Sequence, residues 1–158
     1  MLLAASYAGV GFGNAGVHLP HGMSYPVSGN VKSYRAPGYS ADHPLVPHGI
    51  SVILNAPAVF RFTAPANPDR HLEAAGALGA NVAGVKGEDA GRVLADRITW
   101  FMRELKVPNG LKAIGYSSSD ISGLVEGTLP QHRVTKLSPR PASEDDLAKL
   151  FEEALVAY

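Results

Sequence analysis

The sequence reads as an all-α domain, bundle-like in its helices, on three observations. Apolar residues recur at three- and four-residue intervals in nearly every periodic segment. Helix-opening signals stand where those segments begin. No run alternates apolar and polar residues convincingly enough for a strand.

The segments follow in order. Met1 to Gly16 is apolar almost throughout and reads as a helix that normally has protein on all sides. It lacks the positive n-region of a secretory signal, and Gly13, Asn14 and Gly16 interrupt it. It is also too short to cross a membrane. A chain that starts abruptly inside such a helix is expected to begin in the middle of a larger protein. Gly29 to Pro47 is a long polar loop carrying Pro37, Gly38 and Pro44, of a length usually functional or disordered. Helix is expected at roughly 48–60. Val52 to Leu54 is assigned to it, because Pro-His-Gly precedes and Asn-Ala-Pro follows.

A second short helix is expected at 67–79, with Asn67 and Pro68 as N-cap and first helical residue. From Asp89 to Lys106 one stripe runs through Ala90, Val93, Leu94, Ile98, Phe101 and Leu105, and Pro108 and Gly110 stop it. A short helix at 118–127 takes Ser117 or Ser118 as its cap. Arg133 to Pro141 is irregular. In the last segment Ser143 and Asp146 form a capping box, and Glu144 and Asp145 suit the positive end of the helix dipole. Leu147, Leu150, Phe151, Ala154 and Leu155 then line one face. No internal repeat occurs, and residues 1–158 make one domain.

Composition narrows the function. Hydrophobic residues at 46% and charged residues at 18% fit a soluble globular domain rather than a disordered chain. Fourteen basic residues balance fourteen acidic ones, without the basic excess of a nucleic-acid binder. There is no cysteine, so disulfides and thiolate metal sites are excluded. Any metal would be held by His, Asp or Glu.

Four of the six histidines, His18, His21, His43 and His48, fall between positions 18 and 48. Neutral imidazole is the commonest metal ligand and suits zinc and iron(II). H-E-x-x-H is lacking. His18 and His21 could share a helical face at i, i+3, although Pro20 between them makes that face uncertain. On spacing alone two readings stay open. Either some of these residues bind metal, or they are polar residues at helix ends, exposed or bonded to carbonyls; the second is the commoner case.

The stretch Ala8-Gly9-Val10-Gly11-Phe12-Gly13-Asn14-Ala15-Gly16-Val17-His18, running into His21-Gly22-Met23-Ser24-Tyr25-Pro26 and followed by Pro47-His48-Gly49-Ile50, resembles the iron-containing alcohol dehydrogenases. Within them it is most similar to the hydroxyacid–oxoacid transhydrogenases. The match is dense from Met1 to about Phe62 and looser to the C-terminus. His-Gly-Met, a Pro five residues beyond that His, and a later Pro-His-Gly are specific as an ordered set.

The resemblance implies the helical C-terminal domain of a dehydroquinate synthase-like two-domain fold. The N-terminal α/β domain, which binds NAD(H), would lie outside this chain. It implies a divalent metal, iron(II) or zinc, held by an Asp and a His upstream and by residues corresponding to His21 and His48. Many relatives carry a further His near the nicotinamide, and Tyr25 stands in its place. A phenol, with an ordinary pKa near 10, is a poorer base at neutral pH. Tyr25 is therefore a weaker candidate for proton relay.

The implied substrates are small alcohols or hydroxyacids and oxoacids, whose carboxylates call for a nearby cation. Lys32 and Arg35, in the loop between the two ligand histidines, are the candidates. No membrane or nucleic acid is expected as partner. A homo-oligomer is expected, in the cytoplasm or, in a eukaryote, in the mitochondrial matrix. Gly9, Gly11 and Gly13 form a G-x-G-x-G run within a helical segment, suited to close helix packing rather than to a dinucleotide turn. The competing reading is a non-catalytic helical structural or oligomerisation domain with a vestigial histidine cluster.

Overall fold

The computed structural model describes residues 1–158. Its helices are α1 (Leu2–Ala15), α2 (Leu19–Gly29), α3 (His48–Ile53), α4 (Ala56–Thr63), α5 (Pro68–Ala77), α6 (Ala90–Glu104), α7 (Ile121–Thr128), α8 (His132–Thr135) and α9 (Glu144–Ala154). Short 3₁₀ turns join several of them. There is no strand, and one isolated bridge links Arg35 to Leu45. The domain is all-α, as the periodicity predicts. No helix is long and apolar enough to cross a membrane.

The core is built around α2. Leu19, Met23 and Val27, spaced by four, put three fully buried side chains on one line. Pro20 does not break this helix. It occupies the second helical position, where an N–H would have no acceptor within the helix. Two further helices come close to α2. A Cβ placed on Gly127 of α7 would fall 2.7 Å from the Pro26 Cβ. A Cβ on Gly22 would fall 2.7 Å from the Thr135 methyl of α8. Both glycines exist because backbone must approach there, so α7 and α8 flank α2 at contact distance.

On the other side α6 packs against α4 and α5, and α9 closes over α7 and α4. Phe151, Leu54, Met102, Leu111, Ile114 and Leu124 fill the space between. Both capping serines are engaged. The Asp120 carboxylate accepts from the Ser117 backbone N–H, so Ser117 rather than Ser118 is the cap. Asp146 does the same for Ser143.

Two expectations need correction. The helix expected at 48–60 is two helices, broken at Leu54–Asn55. Pro57 has no N–H to offer the Ile53 carbonyl and its ring crowds that group, so the chain turns and restarts as α4. The buried Asn55 bonds its side-chain amide to the Ser51 carbonyl at the junction. The irregular stretch from Arg133 opens in a helical turn, α8, whose buried Val134 anchors it. The long loop has an internal frame. Arg35 donates to the carbonyls of Ala41 and Asp42, and Leu45 N–H donates to the Tyr34 carbonyl.

Helix α1 has no buried residue. Leu2, Leu3, Tyr7 and Val10 are exposed, as expected for a surface that meets other protein. A Cβ at Gly9, Gly11 or Gly13 would touch nothing in the chain.

Phe151→Ala should lower unfolding free energy by about 3–5 kcal/mol, whereas Leu3→Ala should change it by less than about 0.5 kcal/mol. Urea denaturation of the two variants tests this. Equal losses would contradict the assignment of core and surface.

Candidate active-site cleft

His21 lies in the first turn of α2, and Tyr25 follows it at i+4 on the same face. His48 is the first residue of α3, set by the extended Pro47 before it. The intervening loop brings the two helix starts together. The ring centroids of His21 and His48 are 5.3 Å apart, edge to face. They open on a cleft of about 440 Å³. Phe12, Val17 and Leu137 give it an apolar wall, and Tyr25 and Arg133 supply its other polar groups.

Burial, and then the nearby His48 ring, hold the His21 pKa below its ordinary value. His21 is therefore neutral near pH 7 and has a lone pair to offer, which is the form that ligates metal. Two imidazoles this close fit a borderline ion such as zinc or iron(II). No group of three or more His, Cys, Asp or Glu gathers anywhere in the chain. The residues present thus fit part of a divalent-ion site, with two side-chain ligands.

Of the other histidines, His18 shares an adjoining pocket with His21, and His43 and His71 are engaged elsewhere. His18, the N-cap of α2, stands edge-on to Phe60 at 6.2 Å. Its Nδ1 is buried without a hydrogen-bond partner. His43 is exposed and paired at 2.7 Å with its neighbour Asp42. His71 is buried between the Thr63 hydroxyl and the Asn67 carbonyl, and ties α4 to α5.

The structure does not bring Lys32 or Arg35 to the cleft. Lys32 pairs with Asp120 at 2.7 Å, because the loop folds back against the start of α7. Arg35 is spent on the loop's own carbonyls. The cation lining the cleft is Arg133, whose Nη2 donates to the Tyr25 hydroxyl at 3.5 Å. Sequence reasoning missed it, since its placement depends on the approach of α8 to Gly22 rather than on any local pattern. A larger groove, about 630 Å³, runs beside Arg61, Gly91 and Arg92. Its arginines are paired with Glu153 and Asp89, and Glu88 is the one carboxylate that lines it.

The family model "Fe-containing alcohol dehydrogenase family, C-terminal" matches residues 1–155. The chain is 61% identical over 158 residues to the mitochondrial hydroxyacid-oxoacid transhydrogenase of Mus musculus, covering all of this chain and 34% of that protein. It is equally similar, with the same coverage, to the mitochondrial enzyme of that name from Xenopus tropicalis. The chain thus spans about a third of the length of these relatives. Among solved structures, an alcohol dehydrogenase from Oenococcus oeni superposes with a TM-score of 0.79 at 25% identity, over 93% of this chain and 35% of that one.

His18 gives the fold a pH dependence. Burial, then the charges of His71 and His21, lower its pKa from 6.5. Below about pH 6.5 the unfolded chain therefore binds the proton more readily than the folded one, so stability falls as pH drops. The decline in urea midpoint from pH 7 to pH 5 should be shallower in His18→Gln; an unchanged slope contradicts the assignment.

Proposed function

The chain belongs to the Fe-containing alcohol dehydrogenase family, as its C-terminal domain, and from that premise we propose that it forms the metal and substrate half of an NAD-linked oxidoreductase acting on hydroxyacids and oxoacids. The observation that carries this reading is the convergence of His21 and His48, from two helix starts, over one cleft. These two residues would hold a divalent ion, iron(II) or zinc. The remaining Asp and His ligands, and the dinucleotide-binding domain, belong to sequence beyond this chain. When bound, the ion supplies Lewis acidity to the substrate's oxygen.

The chain's own residues do the rest of what this half contributes. His21, its pKa lowered chiefly by burial, presents a neutral ring nitrogen, and His48 presents the second imidazole. Phe12, Val17 and Leu137 keep water from the substrate's carbon chain. Tyr25 places its hydroxyl at the cleft. In the net reaction the carbinol C–H leaves as hydride to NAD⁺ and the O–H proton is released, giving the oxoacid and NADH. Reduction of a second oxoacid by the same NADH completes a transhydrogenation, the reaction named for the Mus musculus relative.

The apolar faces of α1 are covered by the rest of the protein, and a homo-oligomer is the expected assembly. A mitochondrial location is proposed in a eukaryote, following the relatives' names, and a cytoplasmic one otherwise. The same bare helix also suits a non-catalytic oligomerisation domain. The two readings separate on metal and turnover.

In the full-length protein, His21→Ala and His48→Ala should each lose bound metal, read by plasma mass spectrometry, together with NAD-linked activity. His18→Ala should keep both. If His18→Ala loses its metal while His21→Ala retains it, the ligand assignment fails; metal and turnover unaffected by all three would leave the oligomerisation reading. The isolated chain should show no NAD-linked oxidation. It should bind zinc no more tightly than about micromolar, because affinity depends on ligand number and supported geometry.

A further inference from the structure

We propose that Arg133 is the specificity-determining residue that binds the substrate's carboxylate, with the Tyr25 hydroxyl positioned beside it as a second donor. The inference rests on reading the His21/His48 cleft as the active site. Three observations carry it beyond that reading.

The first is the balance of charge in the cleft. Arg133 is its one cationic side chain apart from the histidines, and no Asp or Glu lines it. The second is that Arg133 is uncommitted. Every other arginine is tied to a carboxylate, a backbone carbonyl or an aromatic face. Arg133 makes one long 3.5 Å bond, to the Tyr25 hydroxyl. A guanidinium carries five N–H donors in a planar fork that matches a carboxylate's two oxygens. Most of that fork is left for a ligand. In accepting from Arg133, the Tyr25 oxygen leaves its own hydrogen free to donate to the same anion.

The third observation is that the position is built. Val134, next in the chain, is buried, and α8 sits against α2 where Gly22 has no side chain. This contact places Arg133 over the turn that carries His21 and Tyr25. One cleft thus gathers three kinds of group: the imidazoles for the reacting oxygen, Arg133 for the carboxylate, and the apolar Phe12, Val17 and Leu137 for the carbon chain. An uncharged alcohol would use the wall and the imidazoles but leave the fork unused. Lys32 and Arg35 cannot serve here, being held at Asp120 and in the loop.

The test uses the full-length enzyme with 3-hydroxypropionate as substrate and NAD⁺ as hydride acceptor. Propanoate and its neutral isostere propanamide serve as competing ligands. In the wild type, propanoate should inhibit at least about tenfold more strongly than propanamide. In Arg133→Gln that preference should vanish. KM for the hydroxyacid should rise about 10- to 100-fold while kcat changes little, the loss of a charge-assisted bond in ground and transition states alike. Arg133→Lys should fall between the two, keeping the charge and losing the fork. KM for NAD⁺ and the bound metal should not change.

Retention of the carboxylate preference in Arg133→Gln overturns the proposal. So does a rise confined to KM for NAD⁺, which would place the cofactor's phosphates on Arg133. His21→Ala, run alongside, separates this from failure of the underlying reading. If His21→Ala retains metal and turnover, the cleft is not the active site. If it loses both while Arg133→Gln keeps its preference, only the role of Arg133 falls.

Discussion

The close approach of backbone at Gly22 and Gly127 is the constraint on which the rest of this domain depends. It clasps α2 between α7 and α8, and α2 carries both the central buried line of Leu19, Met23 and Val27 and the half-buried line of His21 and Tyr25. Packing and chemistry thus share one helix on opposite faces. A side chain at either glycine must displace a neighbour, because the nearest atoms stand 2.7 Å from an added Cβ. A shift of α8 at Gly22 would move Arg133 relative to His21, so a packing change there becomes a change in the cleft.

The electrostatics follow from the same geometry. Partial burial of His21, and then the His48 ring 5.3 Å away, hold the His21 pKa below its ordinary value. The imidazole pair and an uncommitted guanidinium line the same cleft. Elsewhere the charges are consumed locally. Lys32 pairs with Asp120, which holds that carboxyl below the usual range, with help from the Ser117 N–H. Tyr116, whose hydroxyl donates to the Val27 carbonyl, is pushed up to about 12, chiefly by burial. It stays a neutral anchor for the end of α2.

Much of the fold was legible because it rests on local signals. The stripe from Ala90 to Leu105 and the Ser143–Asp146 box are periodicity and capping, and α6 and α9 appear where those place them. The break at Leu54–Asn55 was missed because apolar residues flank it on both sides, Val52 to Leu54 before and Ala56 to Phe60 after; Pro57 was the available signal. His21 and His48 are distinguished in sequence by family resemblance and not by spacing, since a long loop separates them. Arg133 was invisible for a deeper reason. Four residues of helix carry no period of their own, and their location depends on a contact more than a hundred residues away in sequence. Lys32 and Arg35 were natural candidates from loop position, but that position did not reveal the Asp120 and carbonyl partners that claim them.

The central claim is that His21 and His48 share one ion. Anomalous diffraction from crystals of the full-length protein loaded with zinc tests it most directly. The account predicts an anomalous peak between the two rings, with a ring nitrogen of each at about 2.0–2.1 Å, as zinc–imidazole bonds require. A peak beside His18 and His71, or density bonded to only one of the two rings, would contradict it.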